Sequence, residues 1–524
     1  MHYPLLDGRP QPPVITAGDL RAGRCELGLL AEADVALGRR VSVPEPVDPM
    51  RERFGQLGRD HEQQVGERLS AEHGGGEVAV VPAAGPGGYA RAHARTLAAL
   101  ADPGVTLLQD APVRGARFMG RVDHLVREDG RWVVVESKLA RSAHTHALVQ
   151  AAAYAEALLE DGVELAPFVR LALGDGSRVD TPLEDVLPEL ARRRARVLEV
   201  LDTHLSEGFV ADLEDERWRA CLRCPACEDR MAERRDVGLV AGVSSAQRSL
   251  LLAAGVRTMD DLAGSTGPVE GVDDSRLAVL RSQARLQVTV PTPQCPLPFE
   301  VHDPARLAAL PSASDGDVFF DFEGDPVYAE AGSPDRGLEY LFGCLTAEGG
   351  VERFTGFWAH DLAQERTALI DFLAWLTERR RRWPDLHVYH YAGYEQAALR
   401  RMAARHGVHE DLVASLIDEG VFVDLYAVVR SAVRVGSRSY SIKRLEPLYM
   451  GDDLRDTDGV TGGGESVLEY ERYREAAAAG ETREAAERLE ALRVYNEYDC
   501  RSTLRLRDWL HSHAADAAPQ HTPI

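Results

Sequence analysis

Asp123, Glu136 and Lys138 have the types and spacing of groups that work on phosphate esters. Asp123 lies in Gly120-Arg121-Val122-Asp123, and Glu136 and Lys138 end the run Val133-Val134-Val135-Glu136-Ser137-Lys138. Residues i and i+2 of a strand share a face, so Glu136 and Lys138 point the same way. Two carboxylates on adjacent strands can hold a divalent cation, with waters and substrate phosphates filling the rest of its shell. A lysine beside them can position or deprotonate an attacking water and offset transition-state charge. Of the 60 Lys and Arg residues, only Lys138 and Lys443 are lysines. In a chain that otherwise writes positive charge as Arg, a lysine marks a place where a compact ammonium serves and a planar fork does not.

Two flanking segments extend this set. Gly58-Arg59-Asp60-His61-Glu62 opens a helical pattern and offers His61 as a further ligand. Gln150 and Tyr154 are spaced i and i+4, which places them on one helix face. In this order, Gly-x-x-His-Glu, Gly-x-Val-Asp, Glu-x-Lys and Gln-x-x-x-Tyr resemble the RecB-like branch of the PD-(D/E)xK nucleases. The resemblance covers roughly residues 14 to 230. It implies a restriction-endonuclease-like fold and metal-dependent hydrolysis of DNA phosphodiesters. His61, Asp123, Glu136 and Lys138 become the metal and catalytic set, with Gln150 and Tyr154 in support.

Cys221, Cys224 and Cys227 form a tight thiolate cluster, and Cys25 lies far upstream. One cysteine before the nuclease core and three after it is the layout with which some RecB-like nucleases staple their domain ends through a 4Fe–4S cluster. The resemblance implies that role for Cys25, Cys221, Cys224 and Cys227. Four thiolates equally suit a structural zinc on ligand count. The gap before Cys227 is shorter than that family usually has, so zinc stays open.

A third constellation lies downstream. Asp321-Phe322-Glu323 ends a strand-like run with both carboxylates on one face. Tyr495 and Asp499 stand one helical turn apart in Tyr495-Asn496-Glu497-Tyr498-Asp499, and Glu395 follows His390-Tyr391-Ala392-Gly393-Tyr394. Acids from one strand and two helices can bring two metal ions to about 3.5–4 Å, one activating water and one stabilising the leaving oxygen. This order resembles the DEDD exonucleases of the RNase H-like superfamily, and the YprB-type domain found fused to RecB-like nucleases, over roughly 315 to 512. The resemblance implies Asp321, Glu323, Glu395 and Asp499 as Mg²⁺ or Mn²⁺ ligands and Tyr495 as the residue that positions water. Ser439–Leu445 resembles the Ser-x-Lys-x-Leu stretch of proofreading domains, where Lys443 meets phosphate. Glu395 stands where that family usually has Asp, one methylene shorter. Asp424 is a further acid with no motif assigned.

The whole chain frames these sites. At 524 residues it is too long for a single core. We expect an α/β fold in four parts: a restriction-endonuclease-like domain (1–232), a helical segment with a possible helix-hairpin-helix (233–288), a Pro-rich linker (289–314) and an RNase H-like domain (315–524). A hairpin is expected from strands 118–127 and 131–137 joined at Asp129-Gly130, and Gly462-Gly463-Gly464 reads as a loop. Short, charge-interrupted apolar runs and an N-terminus without an apolar leader predict a cytoplasmic protein with no membrane partner. The net charge of −24 excludes a protein coated in basic surface, though a local patch suffices for DNA or RNA. Arg192-Arg193-Arg194 and Arg379 to Arg382 are candidate patches. No Gly-x-x-x-x-Gly-Lys-Ser/Thr loop is present, so any helicase is a separate chain. The reading is a two-nuclease protein acting on nucleic acid. Its alternatives are a nucleic-acid-binding scaffold with inactive sites and a metal-dependent enzyme acting on nucleotides.

Overall fold

A computed structural model of the chain describes residues 1–21, 25–41, 48–73, 77–80, 88–213, 215, 217–292, 295–330, 333, 335–455, 460 and 462–516. Pro293 of the proline-rich stretch lies outside them. The chain forms two compact units, Met1–Arg234 and Arg235–Ile524. Among the described residues no helix is long and apolar enough to cross a membrane.

The first unit begins with a short ladder, β1 (Leu5–Leu6) and β2 (Arg9–Pro10), and helices α1 (Glu26–Ala36) and α2 (Pro49–Glu72). Strand β3 (Glu77–Val80), helix α3 (Gly88–Ala101) and strands β4 (Val105–Arg114), β5 (Met119–Glu128) and β6 (Arg131–Lys138) follow. Helix α4 (Thr145–Glu160), β7 (Leu165–Leu173), β8 (Arg178–Pro182), α5 (Leu183–Glu207) and α6 (Pro225–Arg234) complete the unit. The six strands form one sheet in the order β3-β4-β5-β6-β7-β8. The expected hairpin is β5–β6, which turns through Asp129 at φ 47° and Gly130 at φ 81°. Two successive residues at positive φ give a turn whose twist matches that of the strands.

Strand β6 lies inside the sheet and is buried from Trp132 to Ser137. An apolar run without alternation is what a strand covered on both faces requires. It runs parallel to β7, and α4 makes the crossover that a parallel pair needs. Val65 and Leu69 of α2 pack with Val126, Val133 and Val135 on one face. The buried alanines of α4, 151–153, 155 and 157, give that helix a close approach to its neighbours.

The second unit starts with α7 (Ser245–Ala253), α8 (Met259–Gly264) and α9 (Asp274–Val288), packed around Val240, Leu251, Leu262 and Leu280. Ser244 with Gln247, and Thr258 with Asp261, form capping boxes that start α7 and α8. The proline-rich stretch is not a bare connection. It carries β9 (Phe299–Val301) and α10 (Pro304–Ala308). Pro298 directly precedes β9 and Pro304 stands in the first turn of α10, positions where a missing N–H costs little.

The main sheet is built from β10 (Val318–Ala329), β11 (Arg336–Glu348), β12 (Val351–Trp358), β13 (Val388–His390) and β14 (Phe422–Asp424), in the order β12-β11-β10-β13-β14. β10–β11 and β11–β12 are antiparallel, whereas β10–β13 and β13–β14 are parallel. Helices α11 (Leu362–Arg382), α12 (Tyr394–His406), α13 (Glu410–Asp418) and α14 (Leu425–Ala432) cover it. Strand β15 (Val433–Val435) pairs with β9. Helices α15 (Ile442–Leu445), α16 (Gly463–Ala479) and α17 (Thr482–Asp516) end the described chain. The expected loop at Gly462-Gly463-Gly464 is instead the start of α16, with Gly462 as its N-cap. Successive residues of β10 serve opposite cores. Phe320 and Phe322 pack with Phe342 and Phe372, while Phe319 packs with Leu345, Tyr389 and Leu504. Asp321 and Glu323 share the parity of Phe319 and so face α17.

Candidate metal centres and the comparison with known families

Candidate ligand atoms of three or more residues converge within 4.8 Å at two places among the described residues. One set is Cys25, Cys221, Cys224 and Cys227; the other is Asp321, Glu323 and Asp499.

In the second unit, β10 supplies Asp321 and Glu323, and α17 supplies Asp499 with Tyr495 one turn earlier. Asn496 is fully buried. Its Nδ2 donates to Asp321 Oδ2 at 2.9 Å and to Glu323 Oε1 at 3.4 Å. Ser466 donates to Glu323 Oε2 at 2.6 Å and lies 2.6 Å from the Tyr340 hydroxyl. Lys443 Nζ donates to the Tyr495 hydroxyl at 3.2 Å. Arg455 pairs with Asp499 and, at 3.0 Å, with Glu446. Its guanidinium carbon lies 5.3 Å from the Tyr495 ring centroid and 4.6 Å from that of Tyr498.

Burial and the carboxylates of Glu323, Asp499 and Glu395 hold Asp321 well above the usual carboxylate range. Glu323 is pushed up to about 8, first by burial and then by Asp499. Like charges this close cannot all ionise without a cation among them. The donor set therefore fits a hard divalent ion held through oxygen.

Glu395 stands apart from the converging three. It lies buried at the start of α12, with Oε2 3.1 Å from His390 Nδ1. Its charge reaches Asp321, as the shift of that residue records. Asp424 is an N-cap: its Oδ1 accepts from the N–H groups of Tyr426 and Ala392, each at 2.9 Å. Asn496, Ser466 and Arg455 were not singled out in the sequence. For Asn496 a signal existed, since it stands between Tyr495 and Asp499 one residue after the tyrosine.

In the first unit, Glu136 is the hub. Its Oε1 accepts from Lys138 Nζ and from Gln150 Nε2, each at 2.6 Å. Gln150 also donates to the Tyr154 hydroxyl at 3.1 Å. The other oxygen, Glu136 Oε2, is buried without a hydrogen-bond partner. An orphaned carboxylate oxygen is expensive unless something positive meets it. Asp123 Oδ2 accepts the Ser137 N–H at 2.8 Å, which ties it to the strand that carries Glu136. His61 is buried and holds its Nε2 3.2 Å from the Ala172 carbonyl. A ring that donates through Nε2 keeps Nδ1 as its lone-pair nitrogen.

Burial, then Asp123, pushes Glu136 up to about 8, and burial raises Asp123. Glu62, next to His61, belongs to the same field: burial, then Asp123 and Asp110, push it up to about 7. It is the last residue of Gly-x-x-His-Glu. Gly120 has a steric reason, because a β-carbon there would fall 2.3 Å from Cε1 of Tyr154. Lys138, Gln150, Tyr154, Tyr89 and Arg21 line a cleft of about 480 Å³. Asp123, Glu62 and Arg121 line another of about 590 Å³.

The four sulfurs join segments nearly the whole unit apart. Cys25 caps α1, and the other three bracket the start of α6. Cys25 Sγ lies 3.4 Å from Cys227 Sγ, and Cys221 Sγ lies 4.0 Å from it. Backbone N–H groups of Gly28 and Cys221 point at the Cys25 sulfur, each at 3.3 Å. The hydrogen bond between Cys25 and Cys227, with these N–H groups, lowers the Cys25 thiol and raises that of Cys227, so the pair shares one proton and the thiolate falls on Cys25. A thiolate stabilised in this way is ready to bind metal.

Residues 318–511 match the family model of the RNase H superfamily. The matched segment runs from the first residue of β10 into α17 and contains Asp321, Glu323, Glu395, Tyr495 and Asp499. The second unit thus carries an RNase H-like domain, a fold that generally hydrolyses phosphodiester bonds of nucleic acid with divalent metals. No curated protein and no solved structure matches the chain significantly.

Proposed function

We propose that this chain is a metal-dependent nuclease with two cutting sites, one RecB-like in the first unit and one of the DEDD exonuclease type in the second. The observation that carries the reading is the convergence of the Asp321, Glu323 and Asp499 oxygens within 4.8 Å, inside a domain of the RNase H superfamily. Those three residues would hold Mg²⁺ or Mn²⁺, with Glu395 as a buried fourth acid whose charge acts on Asp321. When bound, the ions activate water and stabilise the leaving oxygen. Asn496 and Ser466 fix the strand carboxylates, and Tyr495, with Lys443 on its hydroxyl, orients the water. The water gives up one proton as its oxygen attacks phosphorus, the P–O bond to the next nucleotide breaks, and the departing oxygen takes up one proton, so protons balance.

In the first unit, His61, Asp123 and Glu136 would hold the ion, and Lys138 stands at the edge of the cleft to meet phosphate and water. Gln150 and Tyr154 keep Glu136 oriented. Support comes from the buried, unpartnered Glu136 Oε2 and from the raised carboxylates around it. DNA is the substrate that the RecB-like resemblance implies, and RNA is tested beside it.

The four cysteines staple the first unit through a metal group. The order of the cysteines favours a 4Fe–4S cluster. The sulfur separations of 3.4 and 4.0 Å favour zinc, since Zn–S bonds of about 2.3 Å place tetrahedral sulfurs about 3.8 Å apart. The test of the whole reading is cleavage of 5′- and 3′-labelled DNA and RNA by the wild type, by Lys138→Ala and by Asp321→Ala. Binding without metal-dependent cleavage in all three proteins makes the chain a nucleic-acid-binding scaffold.

A further inference from the structure

A third cavity, of about 400 Å³, lies in the first unit; Arg21, Arg192, Arg193, Arg196 and Arg219 line it with Glu26 as the one acid, beside Cys25 and four aliphatic side chains. Five guanidinium groups on one cavity stand out in a chain of net charge −24. Arg21 also lines the cleft that holds Lys138, so the two cavities meet at that residue. The arginines are held in place. Arg193 donates to the Leu20 carbonyl at 3.3 Å and to Glu189 at 2.5 Å. Arg196 makes two bonds of 2.9 Å to Glu26. Arg192, by contrast, pairs with Glu189 but keeps 74% of its side chain exposed. A guanidinium has five N–H donors, so an arginine anchored on one side can still present donors on the other. Beyond burial, His146 is held below its ordinary range by Lys138, Arg21, His144 and Arg193.

We infer that this arginine-lined cavity is a binding groove for the phosphate backbone of a nucleic-acid strand whose neighbouring phosphate lies in the Lys138 cleft. The inference rests on the first unit being a nuclease. It adds where the strand runs: from the cleft, past Arg21, along the face of α5 that carries Arg192 and Arg196. Fixed cations that track a backbone without reading bases give sequence-independent, salt-sensitive binding. An acidic protein segment is the competing occupant.

The test uses the full chain and two readouts. Binding of a fluorescein-labelled oligothymidylate is followed by anisotropy without added Mg²⁺ or Mn²⁺ at several salt concentrations. Hydrolysis of bis(4-nitrophenyl) phosphate with Mn²⁺ reports the cutting sites without a strand. The variant is Arg192→Gln with Arg196→Gln, on the face of α5 away from the Lys138 cleft, and Arg131→Gln, at the far end of β6, is the control. The double variant should bind at least about fivefold more weakly and lose about 1.4 from its salt slope, at about 0.7 per contact with a single strand. Its small-ester hydrolysis should match wild type. Affinity and slope equal to those of the control overturn the groove, and so does a wild type that binds no oligonucleotide. A wild type inert toward the ester and toward DNA, yet with the expected loss of binding in the double variant, keeps the groove and removes the nuclease reading.

Discussion

Asn496 occupies the space where a side chain on Gly343 would stand. A β-carbon at Gly343 would fall 1.6 Å from Asn496 Oδ1. Gly343 is paired with Asp321 across β10 and β11, so the missing side chain lets α17 lower Asn496 onto the two strand carboxylates. The carboxylates take the NH₂ end of the amide because, ionised, they only accept, and the buried Cys500 thiol donates to Oδ1 at 3.9 Å.

Gly343→Ala should therefore displace Asn496 and loosen Asp321 and Glu323 together. Overpacking of this kind costs about 1–3 kcal/mol, read as a lower urea midpoint. In a double-mutant cycle, Asn496→Ala should relieve part of that cost, because it removes the atom that clashes. Strictly additive effects would mean that α17 shifts as a body and that the contact does not position the acids.

Asp321→Ala or Asp499→Ala should remove an Mg²⁺- or Mn²⁺-dependent cleavage that survives in the Lys138→Ala protein. The expected loss is at least about 100-fold, since each change takes a ligand from a site built on three. Glu395→Asp should act differently. Glu395 lies outside the converging three, so shortening it should raise the metal concentration needed for half-maximal rate more than it lowers the rate at saturation. A Lys138→Ala protein with no residual cutting of DNA or RNA would reduce the second unit to a binding module.

Lys138→Ala should abolish cleavage by the first site with little change in the urea midpoint. Lys138 sits at the cleft edge with 25% of its side chain exposed and contributes little packing. Glu136→Gln should also silence the site. Because burial and Asp123 already resist ionisation of Glu136, that change should leave the metal-free protein as stable as wild type or more so. Marked destabilisation by Glu136→Gln would mean that the charge serves the fold through Lys138 and Gln150.

Cys221→Ala should release the metal group and lower Tm by several degrees, because the sulfurs join α1 to the loop before α6. Metal analysis of the wild type names the occupant: about four irons and a brown colour for a cluster, one zinc and no colour for a single ion. Wild type with neither metal, and unchanged Tm in the variant, would leave the four thiols as packing alone.

What the sequence by itself determined is the chemistry on offer and the local structure that carries it. Acid, lysine and cysteine types at short spacing were legible, and so were the elements with a plain period. The hairpin of β5 and β6, helix α4, and the strand that holds Asp321 and Glu323 all form because their side-chain alternation or turn residues leave few other choices. Tertiary structure decided what meets. Asp499 reaches Asp321 and Glu323, and Cys25 reaches Cys221 to Cys227, only because helices dock in one register on a sheet formed from distant strands. The same docking brings Asn496 over Gly343 and sets Arg455 on Asp499. It also gives the proline-rich segment a strand partner in β15 and starts α16 at a glycine run that reads as a loop. None of these pairings has a local period to announce it. Each is fixed by the shape of the packed core, through contacts between residues far apart in the chain.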